Sequence, residues 1–283
     1  MKELQSEVIS ISEEELRSLT DAIYLRHGID FSCYEPKSLK RRVVRALHIF
    51  KLTAVHELWI KILKDRSFIY PFMDEISVGL TSMFRDPVLW KKIRSLVFTE
   101  LSNTKELSIW HAGCSTGEEI YTMAIVLRES LYNKSVTAFA TDISNQAIVT
   151  AQKGEYSLHK VEEFKQNYQQ YNTIGSLKKY YKETDTSILL DPSLINYVSF
   201  ENHNLITSPF TRKFDIIFCR NVMIYFDNEA KRKLFDKFYE SLNPNGLFII
   251  GFYDAVLPLI DDTKFQVLDM DAKIFRKIQK TNL

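Results

Sequence analysis

Residues 107–119 read LSIWHAGCSTGEE, and the expected architecture of the chain follows from them. The apolar run Leu107–Ala112 predicts a buried strand, and the small residues Gly113–Gly117 predict a tight turn into a helix that begins near Glu118. Such a turn lets a ligand approach the backbone. It lacks the lysine of a phosphate-binding loop and the full Gly-x-Gly-x-x-Gly spacing, and its two carboxylates disfavour an anionic ligand.

A positively charged ligand suits this turn better. S-adenosylmethionine (SAM) carries a sulfonium and an ammonium group, and the carboxylate of Glu119 or Glu118 would give the ammonium a charge-assisted partner. The alternative is an acidic first turn that only complements the helix dipole. The turn alone leaves both interpretations open.

Short apolar runs alternate with helical stretches after residue 107, which predicts a doubly wound α/β sheet. Two later runs, Phe265–Leu268 and Ile274–Ile278, are too close for a crossover helix and predict a terminal antiparallel hairpin. This combination is typical of the seven-stranded, Rossmann-like methyltransferase sheet. The predicted parallel strands are Leu107–Ala112, Val136–Thr141, Tyr197–Glu201, Phe214–Cys219 and Leu247–Phe252, with helices such as Glu118–Leu131 and Glu229–Leu242 between some of them.

The rest of the chain predicts two additions to this sheet. Residues 11–74 read as successive helices, beginning with a capping-box spacing between Ser12 and Glu15. Residues 162–196 are too long for an ordinary connection and predict an inserted β-subdomain, a small hairpin at about residues 178–198. The expected division is an all-helical domain at 1–76, a linking segment with a helix at 77–104, and a SAM-dependent methyltransferase domain at 105–283.

One predicted helix in the first domain carries many basic residues. Leu39, Val43, Ala46 and Leu47 share one face and most of the basic residues lie elsewhere, which leaves a basic face outward. By itself such a run is most simply a solvated face. The basic residues are Lys37, Lys40, Arg41, Arg42 and Arg45.

The bulk composition excludes several classes of protein. The 283 residues contain 37 basic and 36 acidic side chains, a net charge of +1, so no global field favours nucleic acid. No signal peptide or membrane span is predicted. The three cysteines have no spacing that zinc requires. We expect a cytoplasmic monomer without a metal site.

Asp142 ends the second predicted strand, about 25 residues beyond the glycine turn. In nucleotide-binding α/β proteins an acidic residue there accepts the two ribose hydroxyls. Asp142 could instead be only the N-cap of the next helix. An NAD-dependent enzyme would share both features, so they indicate a nucleoside ligand more than a reaction.

The fourth predicted strand is followed by Arg220, Asn221 and Tyr225, at the sheet edge where a transferable group should lie. Taken as composition alone, Arg220 and Asn221 could be an ordinary turn and Tyr225 a core residue. The order of these residues after a buried strand is nevertheless specific.

Three blocks together resemble the CheR-type chemotaxis receptor glutamate O-methyltransferases. They are FCRNVMIYF at 218–226, STGEE at 115–119 and GLTSMFRDP at 79–87. The resemblance runs from the helical segment to the end of the chain. It implies methyl transfer from SAM to glutamate side chains on the cytoplasmic helical region of methyl-accepting chemotaxis receptors.

Position by position, the resemblance implies a cofactor site and places Arg85 and Tyr225 nearest the transferred methyl. If Thr81 and Arg85 share a helix, their spacing puts them on one face, and Pro87 would limit its continuation. Gly79 and Met83 depart from the family pattern, which usually has an asparagine and an aromatic residue there. The implied cofactor residues, with Gly113 of the turn added, are Thr81, Arg85, Gly113, Glu119, Asp142, Asn204, Leu205, Arg220 and Asn221.

The resemblance also implies how the receptor would dock on this protein. The basic helix resembles the family's receptor-docking helix, and the insertion corresponds to a β-subdomain that binds a receptor's C-terminal tethering peptide in some members. Those members carry a Gly-x-Gly that Lys182–Ser187 lacks, so we expect methylation without the tether. The alternatives are a methyltransferase with a nitrogen acceptor, or a binding module that holds SAM or its product S-adenosylhomocysteine without transferring methyl. No Pro-Pro follows Asn221, which disfavours the first, and retention of Arg85 and Tyr225 disfavours the second.

Overall fold

The computed structural model describes residues 10–76, 81–101, 105–252, 254 and 259–279. The chain divides into two compact units. The helical unit comprises Met1–Val78 and Tyr225–Ala230, and the sheet unit comprises Gly79–Ile224 and Lys231–Leu283. Among the described residues, no helix has both the length and the apolar character needed to cross a membrane.

Successive helices form the described part of the helical unit, as the sequence predicts. The first begins with the expected capping box, in which Ser12 Oγ accepts from Glu15 N at 3.1 Å and Glu15 Oε2 accepts from Ser12 N at 2.8 Å. It ends at Gly28, whose φ of 70° favours glycine. Their bounds are α1 (Glu13–His27), α2 (Pro36–Ile49), α3 (Val55–Lys64) and α4 (Ile69–Ile76).

The apolar face predicted for α2 is confirmed. Leu39, Val43, Ala46 and Leu47 are all buried. Helix α2 packs against α4, and α1 packs against α3. The helical unit therefore has its own small core, formed by the stripe that the 3.6-residue period places on one side of each helix.

The short segment Tyr225–Ala230 belongs to the helical unit although its neighbours in sequence lie in the sheet unit. Tyr34 and Phe226 form an isolated antiparallel bridge, and their ring centroids are 5.2 Å apart. Glu35 N donates to Tyr225 O at 2.9 Å, and Asp227 N donates to Cys33 O at 2.9 Å. These backbone bonds fix the segment beside the start of α2.

Seven strands form the main sheet of the sheet unit, in the order β6-β2-β1-β7-β8-β10-β9. Neighbours from β6 to β8 run parallel, and β10 pairs antiparallel with both β8 and β9. The predicted sheet with its terminal hairpin is confirmed. The strands are β1 (Glu106–Ala112), β2 (Ser135–Asp142), β6 (Val198–Asn202), β7 (Phe214–Cys219), β8 (Leu242–Ile250), β9 (Phe265–Asp269) and β10 (Ile274–Lys277).

Helices cover the sheet because its central strands are apolar on both faces. Leu107 and Ile109 of β1 join the core cluster that contains residues of three helices, and Trp110 points to the other face, where its ring lies 5.4 Å from that of Phe238. The helices are α5 (Pro87–Thr99), α6 (Glu118–Glu129), α7 (Asn145–Lys153), α8 (Leu158–Tyr171) and α9 (Asn228–Ser241).

The predicted insertion forms a β-hairpin, with one strand that the sequence did not predict. The hairpin pairs β4 (Tyr181–Glu183) with β5 (Ser187–Leu190), and β3 (Glu155–Ser157) pairs with the other edge of β5. The prediction missed β3 because a three-residue strand is too short to show a period. Thr184 N donates to Ser187 O at 2.8 Å, which closes the hairpin turn.

The prediction that Thr81 and Arg85 share a helix is wrong. Residues 81–86 form an irregular segment with turns, and Phe84 and Asp86 have φ values of 53° and 58°. Pro87 does not end a helix but occupies the first turn of α5, where a missing N–H costs nothing. Strand β8 also begins at Leu242, five residues before the predicted start at Leu247.

Candidate functional site

The turn after β1 requires its glycines. Gly113 has a φ of 78°, and a Cβ there would lie 2.4 Å from Val222 Cγ2. Gly117 has a φ of 92°, and a Cβ there would lie 2.7 Å from the Cβ of Ala151. The turn is pinned to β2 because Gly113 N and Cys114 N both donate to Thr141 O at 2.8 Å. The two glycines therefore leave room for Val222 and Ala151 and keep the turn in a fixed shape.

Asp142 lies at the end of β2 beside this turn. Its Oδ2 accepts from Ser115 N at 2.8 Å, and its Oδ1 accepts from Ser144 N at 2.9 Å. The N-cap of α7 is Ser144, whose hydroxyl accepts from Ala147 N at 3.0 Å. The interpretation of Asp142 as the N-cap of α7 is therefore wrong, and its carboxylate instead joins the turn after β1 to the start of α7.

The two glutamates at the start of α6 have different surroundings. Glu118 is buried and binds Lys160 Nζ at 2.9 Å and Thr116 Oγ1 at 2.7 Å. Burial raises the pKa of Glu118, and the Lys160 charge opposes that rise. Since Glu118 joins α6 to α8, Glu119 is the carboxylate that remains for the sheet edge.

Glu119 lies between a histidine and an arginine. His111 Nδ1 is 2.8 Å from Glu119 Oε1, and Arg220 NH1 donates to Glu119 Oε2 at 3.0 Å. Burial acts to raise the pKa of Glu119, but the His111 hydrogen bond and the Arg220 charge outweigh it, so the pKa lies below its usual value. The carboxylate is therefore ionised at neutral pH.

Arg220 follows β7 and connects the sheet edge to the segment before α5. Its NH2 donates to Asp86 Oδ2 at 2.7 Å and to Arg85 O at 3.1 Å. The side chain is only 5% exposed, and its Nε has no hydrogen-bond partner among the described residues. A buried donor without a partner favours a ligand acceptor at this position.

The same network fixes the backbone of Arg85. Besides Arg220, Trp90 Nε1 donates to Arg85 O at 2.9 Å. One residue earlier, Phe84 N donates to Thr122 Oγ1 of α6 at 3.0 Å. The half-buried Thr81 begins this described segment, and Gly79 lies outside the described residues. Met83 is fully buried, so its departure from the family's aromatic residue concerns packing.

Asn204 and Leu205 follow β6, the strand next to β2. Asn204 Oδ1 accepts from Ile206 N at 2.9 Å and forms a local turn. Lys237 of α9 donates to Leu205 O at 2.7 Å and to Ser208 O at 2.6 Å, and burial lowers the pKa of its ammonium. The loop is therefore held by a lysine that the sequence analysis did not single out.

Asn221 has a φ of 60° and contacts the end of β8. Asn221 N donates to Asp254 Oδ2 at 2.8 Å, and Gly251 N donates to the same oxygen at 2.6 Å. A Cβ on Gly251 would lie 2.6 Å from Asn221 N. Asp254 thus fixes the turn that follows Arg220. The predictions from sequence did not include this residue.

Tyr225 lies in the helical unit, where Arg42 contacts its ring. The guanidinium carbon of Arg42 is 3.8 Å from the Tyr225 ring centroid, and Arg42 also donates to Ile76 O. Arg42 is only 5% exposed, so the prediction that it belongs to the outward basic face is wrong. Lys37, Arg41 and Arg45 are exposed and Lys40 is half-exposed, and Arg45 pairs with Glu75 at 3.6 Å.

The chemistry at this edge of the sheet unit fits SAM. Glu119 can accept from an ammonium group, Asp142 from ribose hydroxyls, and the Arg220 Nε can donate to a carboxylate. These side chains come from the carboxyl ends of β1, β2 and β7, which are neighbours in the sheet. Ligands of open α/β sheets bind at such a point, where the strand order reverses.

The predictions from sequence missed three residues that fix the shape of this site: His111, Asp254 and Lys237. His111 had a visible signal, since it is the one ionisable residue in the apolar run 107–112. Asp254 and Lys237 act on loops that lie far from them in sequence. No local pattern marks such contacts.

The fold and the edge chemistry define a SAM-dependent methyltransferase. Residues 79–274 match the family described as the CheR methyltransferase SAM binding domain, and residues 14–77 match the CheR methyltransferase all-alpha domain. The chain belongs to the CheR methyltransferase family.

Full-length relatives agree with this assignment. The chain is 33% identical to a Pseudomonas putida protein named as a candidate methyltransferase, Cher3, over 93% of this chain and 96% of that one. It is 30% identical to a Listeria monocytogenes chemotaxis protein methyltransferase, over 81% of this chain and 86% of the relative. An Escherichia coli protein of the same name is 29% identical, over 87% and 86% of the two chains.

Proposed function

We propose that this protein transfers a methyl group from SAM to glutamate side-chain carboxylates of chemotaxis receptors, giving glutamate methyl esters and S-adenosylhomocysteine. The observation that carries the proposal is the set of polar side chains at the ends of β1, β2 and β7, with Glu119 held between His111 and Arg220. Relatives named chemotaxis protein methyltransferase support the acceptor.

The acceptor makes modest chemical demands. A glutamate carboxylate has a reference pKa of about 4.3, so it is already ionised at neutral pH and needs no general base. Bound SAM supplies an electrophilic methyl on a sulfonium. The chain's task is to hold one carboxylate oxygen in line with the bond that breaks and to exclude water.

Arg85 is the residue that we assign to the incoming carboxylate. Its guanidinium can align the two oxygens by paired hydrogen bonds. The two donors on Arg85 O, from Trp90 and Arg220, fix the backbone from which this side chain extends. We assign Tyr225 to a further hydrogen bond with the acceptor, and the Arg42 contact fixes the Tyr225 ring within the helical unit.

We assign binding of the cofactor SAM to Thr81, Arg85, Gly113, Glu119, Asp142, Asn204, Leu205, Arg220 and Asn221. The receptor would dock on the exposed basic residues of α2, without a tethering peptide. The turn between β4 and β5 supports the latter, because Lys182–Ser187 contains no glycine and closes on itself through Thr184 and Ser187.

The test is transfer of labelled methyl from SAM to membranes that contain chemoreceptors, followed by a mild alkaline wash. Esters release the label as methanol, whereas methylamines keep it. We expect base-labile label on the receptor band. Base-stable label would indicate a nitrogen acceptor, and binding of SAM without any label would indicate a binding module.

A further inference from the structure

His111 is a polar residue in a position that favours an apolar one. It lies in the middle of the sheet, on the same face of β1 as Leu107 and Ile109, and is 1% exposed. Its ring stacks on Phe218 of β7 with centroids 4.9 Å apart and an interplanar angle of 4°. Burial of an imidazole costs free energy unless its nitrogens are hydrogen-bonded, and a leucine would fill such a site without that cost.

The partner of His111 explains why the imidazole is there. Its Nδ1 is 2.8 Å from Glu119 Oε1. Because the ionised carboxylate only accepts hydrogen bonds, Nδ1 must carry the proton and donate. The rigid strand β1 and the stacked ring of Phe218 leave this donor little freedom to move.

Glu119 is thereby held from two sides. His111 occupies one lone pair of Oε1, and Arg220 occupies one lone pair of Oε2 at 3.0 Å. Each oxygen keeps one lone pair for a ligand. The negative charge of the Glu119 carboxylate complements the positive ammonium group of SAM.

We propose that His111 is a positioning residue for the cofactor, which fixes the carboxylate of Glu119 so that it accepts from the ammonium of the amino-acid part of SAM. The proposal rests on the assignment of Glu119 to that ammonium. It predicts that His111 matters only for ligands that carry the amino-acid part.

Two ligands separate this role from a structural one. S-adenosylhomocysteine has the ammonium, and 5′-methylthioadenosine has the same nucleoside and sulfur without it. Binding of both is measured by calorimetry on the full chain, in wild type and in His111→Phe, which keeps the stacked ring and removes the donor. We expect the Kd for S-adenosylhomocysteine to rise about tenfold or more, as for a hydrogen bond to a charged group, while the Kd for methylthioadenosine changes by less than about twofold.

Two further variants act as controls. In His111→Asn the side-chain amide nitrogen comes close to the position of Nδ1, so this variant should restore most of the discrimination between the two ligands. Glu119→Gln removes the charge that His111 is proposed to orient, and should reproduce the selective loss.

The outcomes distinguish the proposals. Equal weakening of both ligands by His111→Phe, or no weakening of either, would overturn the role of His111. A Glu119→Gln variant that keeps the wild-type ratio of the two Kd values would overturn the assignment of Glu119, and the role of His111 with it. If the wild-type chain bound neither ligand, the proposed function itself would fail.

Discussion

Glu118 and Glu119 are adjacent in sequence, yet only one is available to a ligand. Glu118 faces Lys160 and Thr116, and Glu119 faces His111 and Arg220. Successive helical residues differ in direction by about 100°, so neighbours point to different environments. The chemistry of each carboxylate is therefore set by the element that it faces.

The proposed role of Tyr225 can be tested by removing only its hydroxyl. Tyr225→Phe keeps the ring that contacts Arg42, so the local fold should be unchanged. We expect turnover to fall about tenfold or more, since one hydrogen bond to a charged group is lost, while the Kd for S-adenosylhomocysteine stays within about twofold. The control is Tyr24→Phe, because Tyr24 is 55% exposed. Equal losses of turnover and cofactor binding would contradict the role.

Asp254 makes the stability of the protein depend on pH. Burial raises its pKa to about 6 from 3.8, against the backbone hydrogen bonds from Asn221, Gly251 and Ile224. Well below pH 3.8 the carboxyl is protonated in both the folded and the unfolded chain. As pH rises from 3.8 to about 6, the unfolded chain ionises this carboxyl while the folded chain still holds it protonated, so the contribution of this residue to stability falls across that range and levels off above it.

Asp254→Asn should remove this pH dependence. Between pH 5 and 7.5 we expect the free energy of unfolding of wild type to fall by about 1.4 kcal/mol relative to the variant. Urea titrations followed by tryptophan fluorescence measure it, since Trp90 and Trp110 are buried in the sheet unit. The exposed Asp262→Asn variant should follow wild type. A constant difference between wild type and Asp254→Asn across this range would rule out the titration of Asp254.

The strand–turn–helix unit at 106–129 carries Gly113 and Glu119 and binds Asp142 and Arg220, which are four of the nine assigned cofactor residues. Its turn depends on two left-handed glycines, Gly113 and Gly117, and on the two bonds to Thr141 O. A change in this turn should therefore affect ligand binding more than a similar change elsewhere.

Gly113→Ala tests this dependence. We expect a loss of stability above about 1–2 kcal/mol, because the left-handed backbone strain is joined by a clash with Val222 Cγ2 at 2.4 Å. Gly28→Ala is the matched control, since Gly28 has a φ of 70° with no atom within 4 Å of the added Cβ, and only strain should appear there.

Adding Val222→Ala to Gly113→Ala should recover the part of the loss that is due to the clash. Thermal unfolding gives the stabilities, and calorimetry gives the affinity for S-adenosylhomocysteine. Equal losses at Gly113 and Gly28, with no recovery from Val222→Ala, would show that the turn is not tightly packed.

The elements themselves could largely be predicted from sequence. Strands β1, β2 and β7 are apolar runs, α1 begins with a capping box, and the helices of the helical unit have a 3.6-residue period. The segment 81–86 could not, because its shape is set by contacts from Thr122 and Arg220, which lie far away in sequence. Arg42 was assigned to the wrong face because of its charge. Its spacing of three from Leu39 and four from Ala46 places it beside the apolar face, where its guanidinium contacts the Tyr225 ring and Ile76 O.

At the scale of the whole molecule, the chain passes from the sheet unit into the helical unit and back at Tyr225–Ala230. The segment that carries Tyr225 is thus bonded to the residues that precede and begin α2, through Cys33, Tyr34 and Glu35. Helix α2 also carries the exposed cations that we assign to receptor docking.

Charge reversal on α2 tests the docking role. The double variant Lys37→Glu with Arg41→Glu should lower receptor methylation about fivefold or more at low salt, and less at high salt, because exposed charges are screened. Affinity for S-adenosylhomocysteine should not change. Arg42 is left intact because it is buried.

The control for charge reversal is Lys64→Glu with Arg66→Glu, which makes the same change in net charge at exposed positions outside α2. It should leave receptor methylation close to wild type. If the two double variants behaved alike, the effect would come from net charge and the docking role of α2 would be wrong.

The methyl acceptor that we propose is a glutamate carboxylate. The most direct measurement is peptide mass spectrometry of a receptor cytoplasmic domain after incubation with the protein and SAM. We predict the added mass of one methylene on glutamate residues of the receptor helices, absent without SAM. The same mass located on a lysine, arginine or histidine would contradict the account.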